Sequence, residues 1–126
     1  MMTQTLRRCG LLLIAAMIAG GSAATAHSFP EAQSPSAGQT LAASPPAVTI
    51  KFDAPIEKLF AKLEVLDADG KTAVMGSPEV GADGVSLSVK LGQLKPGAYT
   101  VKWSVVCIDT HHTEGSYRFT VAGGGS

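Results

Sequence analysis

The chain has 126 residues and no net formal charge, a length that allows one domain. Without the leader read below, eight basic residues face ten acidic ones, a net charge of about −2 with neutral histidines. That balance provides neither an electrostatic footprint for nucleic acid nor a polybasic patch for a membrane surface.

The first 26 residues read as a secretory leader. Arg7 and Arg8 form a basic start, residues 10–19 (GLLLIAAMIA) a short apolar core, and residues 20–26 (GGSAATA) end in the A-x-A pattern Ala24-Thr25-Ala26. The apolar run is shorter than the roughly 20 residues a spanning helix needs. Cys9 precedes that run and is badly placed for lipid attachment. The expected cut falls between Ala26 and His27. It leaves a secreted domain over 27–122 and a flexible GGGS tail over 123–126. Cys107 is then the one cysteine, so no intramolecular disulfide is expected, and a core of about 100 residues must hold the domain alone.

Residues 27–46 are polar and rich in Ser, Ala, Pro and Gln, which suggests an extended arm along the domain. Residues 48–52 (VTIKF) alternate, with Val48, Ile50 and Phe52 on one side, as a half-buried strand does. Asp53-Ala54-Pro55 breaks it, and 56–63 has room for one helical turn. Residues 61–66 alternate again, Asp69-Gly70 is a hairpin signal, and 71–75 is the expected return strand. Residues 76–84, with Pro78 and three glycines, read as loop and turn. Val85, Leu87, Val89 and Leu91 repeat at period two, and Lys95-Pro96-Gly97 turns the chain. Tyr99, Val101, Trp103 and Val105 then share one face, and Tyr117, Phe119 and Val121 form the inner face of the last strand. Six or seven short strands without helical periodicity or internal repeats predict an all-β fold. The fold is an antiparallel β-sandwich or small barrel of immunoglobulin-like size.

No hydrolytic or nucleotide-binding motif is present. A Cys107–histidine nucleophile pair is disfavoured, because Cys107 keeps the inward parity of Val105. The three histidines fall in two places: His27 at the expected mature terminus, and His111 with His112 in the loop before the last strand. A terminal histidine can close a chelate ring with its α-amine and ring Nδ1. The amine's reference pKa of about 7.7–8.0 means that a metal displaces a proton only partly present. Asp109 and His111, separated by one residue, point to the same side of an extended segment. Together with His27 they would supply three nitrogens and one oxygen, a tetragonal set that favours Cu(II), with tetrahedral zinc as the rival. The alternative is that His27 is an accident of the cleavage site and the loop is simply solvated.

Seven stretches stand out: Ala26-His27, Ser34-Pro35 followed by Gly38, VTIKF at 48–52, DADGK at 67–71, LKPGAYTVKW at 94–103, VVCIDTH at 105–111 and GSYRFTV at 115–121. With these the chain resembles the CopC family of periplasmic copper-binding, copper-resistance proteins. The resemblance implies a Greek-key β-sandwich of about seven strands. It also implies one Cu(II) per chain, held by His27, Asp109 and His111. The implied role is a monomeric periplasmic copper carrier or buffer in copper resistance or uptake, without turnover. A CopD-type inner-membrane copper transporter is the implied partner. Two other functions stand beside it: an oxidative copper enzyme built on the terminal histidine, and a metal-free structural sandwich. The chain departs from the family pattern in places. His112 stands where members often carry proline, and it is expected to face solvent. Met75 is the one methionine of the mature chain, so a methionine-rich Cu(I) site is not expected and Met75 reads as core or edge filler. Cys107 is expected to turn away from the metal. Trp103 and Tyr99 read as core, with Tyr99 able to bond backbone near its strand start, as tyrosine corners do. Glu31, Asp53 and Glu57 are further oxygen donors, among which spacing does not choose.

Overall fold

The computed structural model describes residues 28–123. The leader, His27 and residues 124–126 lie outside the described residues. Eight strands follow one another: β1 (Pro30–Ser34), β2 (Thr40–Leu41), β3 (Ala47–Phe52), β4 (Lys62–Leu66), β5 (Val74–Val80), β6 (Ser86–Leu91), β7 (Gly97–Val106) and β8 (His112–Val121). They form two four-stranded sheets, in the orders β1-β3-β6-β5 and β2-β8-β7-β4. Every pairing is antiparallel except the short β2–β8 contact. β4 and β7 are neighbours in one sheet, while the β5–β6 hairpin between them in sequence belongs to the other. This is the over-and-back connection of a Greek-key sandwich.

Period-two alternation explains the layers. Val48, Ile50, Phe52, Leu87 and Val89 line the inner face of one sheet. Leu63, Val65, Val101, Trp103, Val105, Phe119 and Val121 line the other, and all are buried in one core. The Trp103 ring meets Phe52 edge-on, with centroids 5.3 Å apart, and stands over Gly115, its directly opposed partner on β8. The Tyr99 hydroxyl donates to the Lys95 carbonyl at 2.6 Å, as the tyrosine-corner reading expects. Tyr117 also faces inward. Its hydroxyl is buried with no hydrogen-bond partner among the described residues, and burial pushes its pKa up to about 12.

Three local readings change. The extended arm is confirmed, but it contributes two strands of its own, β1 against β3 and β2 against β8. The segment 76–84, expected to be loop, is strand as far as Val80. Pro78 is tolerated because β5 is an edge strand whose register shifts between Met75 and Glu79, so the missing N–H is not needed by a ladder. Met75 is accordingly an edge residue, 61% exposed. The return strand expected at 71–75 begins only at Val74; Thr72 makes an isolated bridge to Leu66 across a turn whose N–H groups at Asp69 and Lys71 bond the Asp67 carboxylate. The one helical turn allowed at 56–63 is a 3-10 turn over Lys58–Phe60.

Candidate metal centre

The β7–β8 hairpin is the longest ladder among the described residues, ten residues on each strand, and it carries the candidate site at its tip. The tip is a tight turn. The Cys107 N–H donates to the His111 carbonyl at 2.7 Å, and the Thr110 N–H donates to the Cys107 carbonyl at 2.8 Å. Thr110 sits at φ 77°, a left-handed conformation that is unusual for a β-branched residue. Strain of this kind is typical of functional turns.

Asp109 and His111 do converge: His111 Nδ1 lies 3.1 Å from Asp109 Oδ2, and the His111 N–H points to Oδ1 at 3.4 Å. The cause is not the strand alternation expected from sequence. The segment is a turn, and the left-handed Thr110 between them folds the two side chains together. Both side chains are exposed at the tip. With bonds of about 2.0–2.2 Å to a metal, two adjacent donors lie roughly 2.8–3.5 Å apart, for right-angled to tetrahedral geometry. The observed separation fits that span.

His112 does not join them. It is the first residue of β8, opposite Val106, and its Nε2 is 2.7 Å from Ser104 Oγ and 3.9 Å from Glu114 Oε2. It is exposed, as expected. Asp53 accepts the Phe29 N–H at 2.8 Å, a role in anchoring the arm. Among the described residues no group of three or more His, Cys, Asp or Glu side chains is arranged to hold a metal, so Glu31, Asp53 and Glu57 do not complete a site with Asp109 and His111.

What sequence reasoning did not reach is the way the arm is fastened beside this turn. Ser28 is fully buried. Its N–H donates to Cys107 Sγ at 2.7 Å, and the Cys107 thiol donates to Ser28 Oγ at 2.8 Å. The Thr113 hydroxyl donates to the Ser28 carbonyl at 2.7 Å. Ser28 Oγ in turn donates toward the carbonyls of Ala54 and Pro55, at 3.1 and 3.3 Å. Cys107 is two residues before Asp109, and Thr113 two residues after His111. The buried position of Cys107 was legible from parity. So was that of Thr113, which continues the inward series Val121, Phe119, Tyr117; Ser28 gave no such signal.

The class this defines is a small two-sheet Greek-key β-sandwich with an aspartate–histidine pair at the tip of its β7–β8 hairpin. The comparisons agree. The model of the CopC domain matches residues 31–122. Protein YobA of Escherichia coli strain K12 is 34% identical over 98 residues, covering 76% of this chain and 79% of that protein. The crystal structure of CopC from Methylosinus trichosporium OB3b superposes with a TM-score of 0.73 at 36% identity, covering 79% of this chain and 98% of that one. PcoC, a methionine-rich copper resistance protein from Escherichia coli, superposes with a TM-score of 0.67 at 27% identity, covering 76% and 99%. The chain belongs to the CopC family.

Proposed function

We propose that this protein is a periplasmic copper-binding protein that carries or buffers Cu(II) without turnover. In this reading residues 1–26 are removed and the mature chain begins at His27. One Cu(II) is bound by the α-amine and Nδ1 of His27, the Asp109 carboxylate and the His111 imidazole. The observation that carries the reading is the burial of Ser28 between Cys107 and Thr113, the residues that flank the Asp109–His111 turn. Residue 27 is bonded to Ser28, and successive Cα atoms are about 3.8 Å apart. In this reading a terminal histidine would start one residue from that anchor and meet the two side chains at the tip. The family's copper-resistance members supply the choice of metal. Three nitrogens and one oxygen suit tetragonal Cu(II). A single exposed methionine on an edge strand of the other sheet does not make a thioether site for Cu(I). Delivery to a CopD-type membrane transporter is the corresponding partner step.

The test is one inserted alanine before His27. The extra residue turns the α-amine into an amide and moves the new amine out of chelating position. Cu(II) affinity, measured by competition with a chelator, should fall by orders of magnitude while thermal unfolding of the apo protein stays the same. Equal affinity in the extended and processed proteins would refute the terminal chelate. Intact mass of the protein recovered from the periplasm, with and without copper, fixes both the cleavage site and the stoichiometry.

A further inference from the structure

We infer that Cys107 and Thr113 are positioning residues for the metal site, acting through the two peptide groups of Ser28. This inference rests on the terminal-histidine reading above. A peptide unit is planar, and the Ser28 N–H belongs to the unit that joins it to residue 27. The bond from that N–H to Cys107 Sγ, at 2.7 Å, therefore restrains the N-terminal side of Ser28. The bond from Thr113 Oγ1 to the Ser28 carbonyl, at 2.7 Å, restrains the following unit. With both groups held, the backbone of Ser28 is restrained on both sides, and in the terminal-histidine reading that restraint would orient the residue before it.

The thiol suits this position for a definite reason. It accepts from the Ser28 N–H and donates to Ser28 Oγ, which passes its own proton on toward the Ala54 and Pro55 carbonyls. A side chain at 107 must therefore both accept and donate, inside a site closed to water. Serine meets that requirement; alanine does not. At 113 valine keeps the shape of threonine and loses the donor. Cys107 in this role is neither nucleophile nor ligand. It orients the arm that would bring the amine and imidazole of His27 to Asp109 and His111, as outer groups orient ligands elsewhere.

The experiment uses protein processed to begin at His27, with Cu(II) alone as the probe. Cys107→Ala and Thr113→Val should each weaken Cu(II) about 10- to 100-fold, the usual effect of losing an orienting group. Both should alter the nitrogen hyperfine pattern of the Cu(II) EPR spectrum, and Cys107→Ser should restore affinity and spectrum. A merely structural role would lower the apo melting temperature and leave the EPR pattern of the folded fraction unchanged. Native affinity and spectrum in both Cys107→Ala and Thr113→Val would overturn the inference. If the alanine extension abolishes tight binding while these variants behave as wild type, the terminal chelate stands and the positioning role fails. If the extension has no effect, the terminal chelate itself fails. One measurement needs no variant: the Ser28 amide of the processed apo protein should be protected from hydrogen exchange, and rapid exchange there would also overturn the inference.

Discussion

Replacing Gly115 by alanine places one methyl group against the only tryptophan of the chain. A Cβ built on Gly115 falls 2.6 Å from Trp103 Cζ2, 2.9 Å from Cε2 and 3.0 Å from Nε1. Carbon atoms rest at about 3.5–4.0 Å, so the indole would have to retreat by roughly 1 Å. On the core side that retreat is opposed by packing. Trp103 is buried, its ring edge is set against Phe52, and Phe52 is itself fully packed in the core. Overpacking of this kind costs about 1–3 kcal/mol, and a clash with a rigid ring belongs in the upper half of that range. At about 4–8 °C per kcal/mol for a domain of this size, the melting temperature should fall by roughly 10–20 °C. Thermal unfolding followed by tryptophan emission reads one residue alone. The emission of folded Gly115→Ala should differ from wild type. Trp103→Phe in the same background should recover part of the loss, because the smaller ring clears the methyl. A single variant that melts within about 2 °C of wild type with unchanged emission would refute this account of why glycine faces Trp103.

Other expectations follow from the site and the core. Asp109→Ala and His111→Ala should each weaken Cu(II) binding and change the EPR spectrum with the fold intact; an unchanged spectrum would remove that residue from the proposed ligand set. Cu(I), titrated against a chromogenic chelator, should bind far more weakly than Cu(II), and Met75→Ala should leave both affinities unchanged. Tyr117→Phe deletes a buried hydroxyl without a partner and should raise stability by about 1 kcal/mol; a loss of stability would mean that the hydroxyl is satisfied in solution. The Tyr117 pKa is raised from 10.0 to about 12, so the neutral phenol is the form the fold favours. Its contribution is complete below about pH 10, where the unfolded tyrosine also keeps its proton, and is lost as pH rises through 12. Ultraviolet titration should accordingly show a phenol that ionises near pH 12 in wild type and is missing in Tyr117→Phe.

The strand pattern was readable because both sheets bury one face, so alternation is forced at every inner position from Val48 to Val121. It failed at β5, where one edge strand meets Pro78 and Gly76 and neither face is closely covered. Composition there reads as loop, while the neighbouring β6 still pairs with it. The arm was readable as extended but not as paired, because β1 and β2 lean on strands already formed and carry little hydrophobic pattern of their own. At the site, the residue types and spacing of Asp109 and His111 were in the sequence. The turn that joins them was not. Left-handed backbone at a threonine is not something a residue type announces. Ser28 was the least legible of all, since a buried serine looks like any other serine in a polar arm.

The proposed carrier role requires a metal held firmly enough to be selected and openly enough to be released, and the arrangement at the hairpin tip would divide those demands. Rigidity lies below the surface. Ten paired residues on each strand end at Val106 and His112, and Ser28 is locked between Cys107 and Thr113. Openness lies above it, where Asp109 and His111 stand exposed on a short turn. In the proposed site, a terminal residue set by a buried neighbour would bring its amine and imidazole to that turn without a loop having to close over the metal. The metal would stay reachable by an incoming donor while bound, so transfer could proceed by exchange of ligands one at a time. It follows that loosening the Ser28 clamp should speed copper loss to a competing chelator more than it slows capture. Stopped-flow measurements of both rates on Thr113→Val would decide this. A variant slowed in capture but unchanged in release would show that the clamp gathers ligands around arriving metal instead of holding them around bound metal.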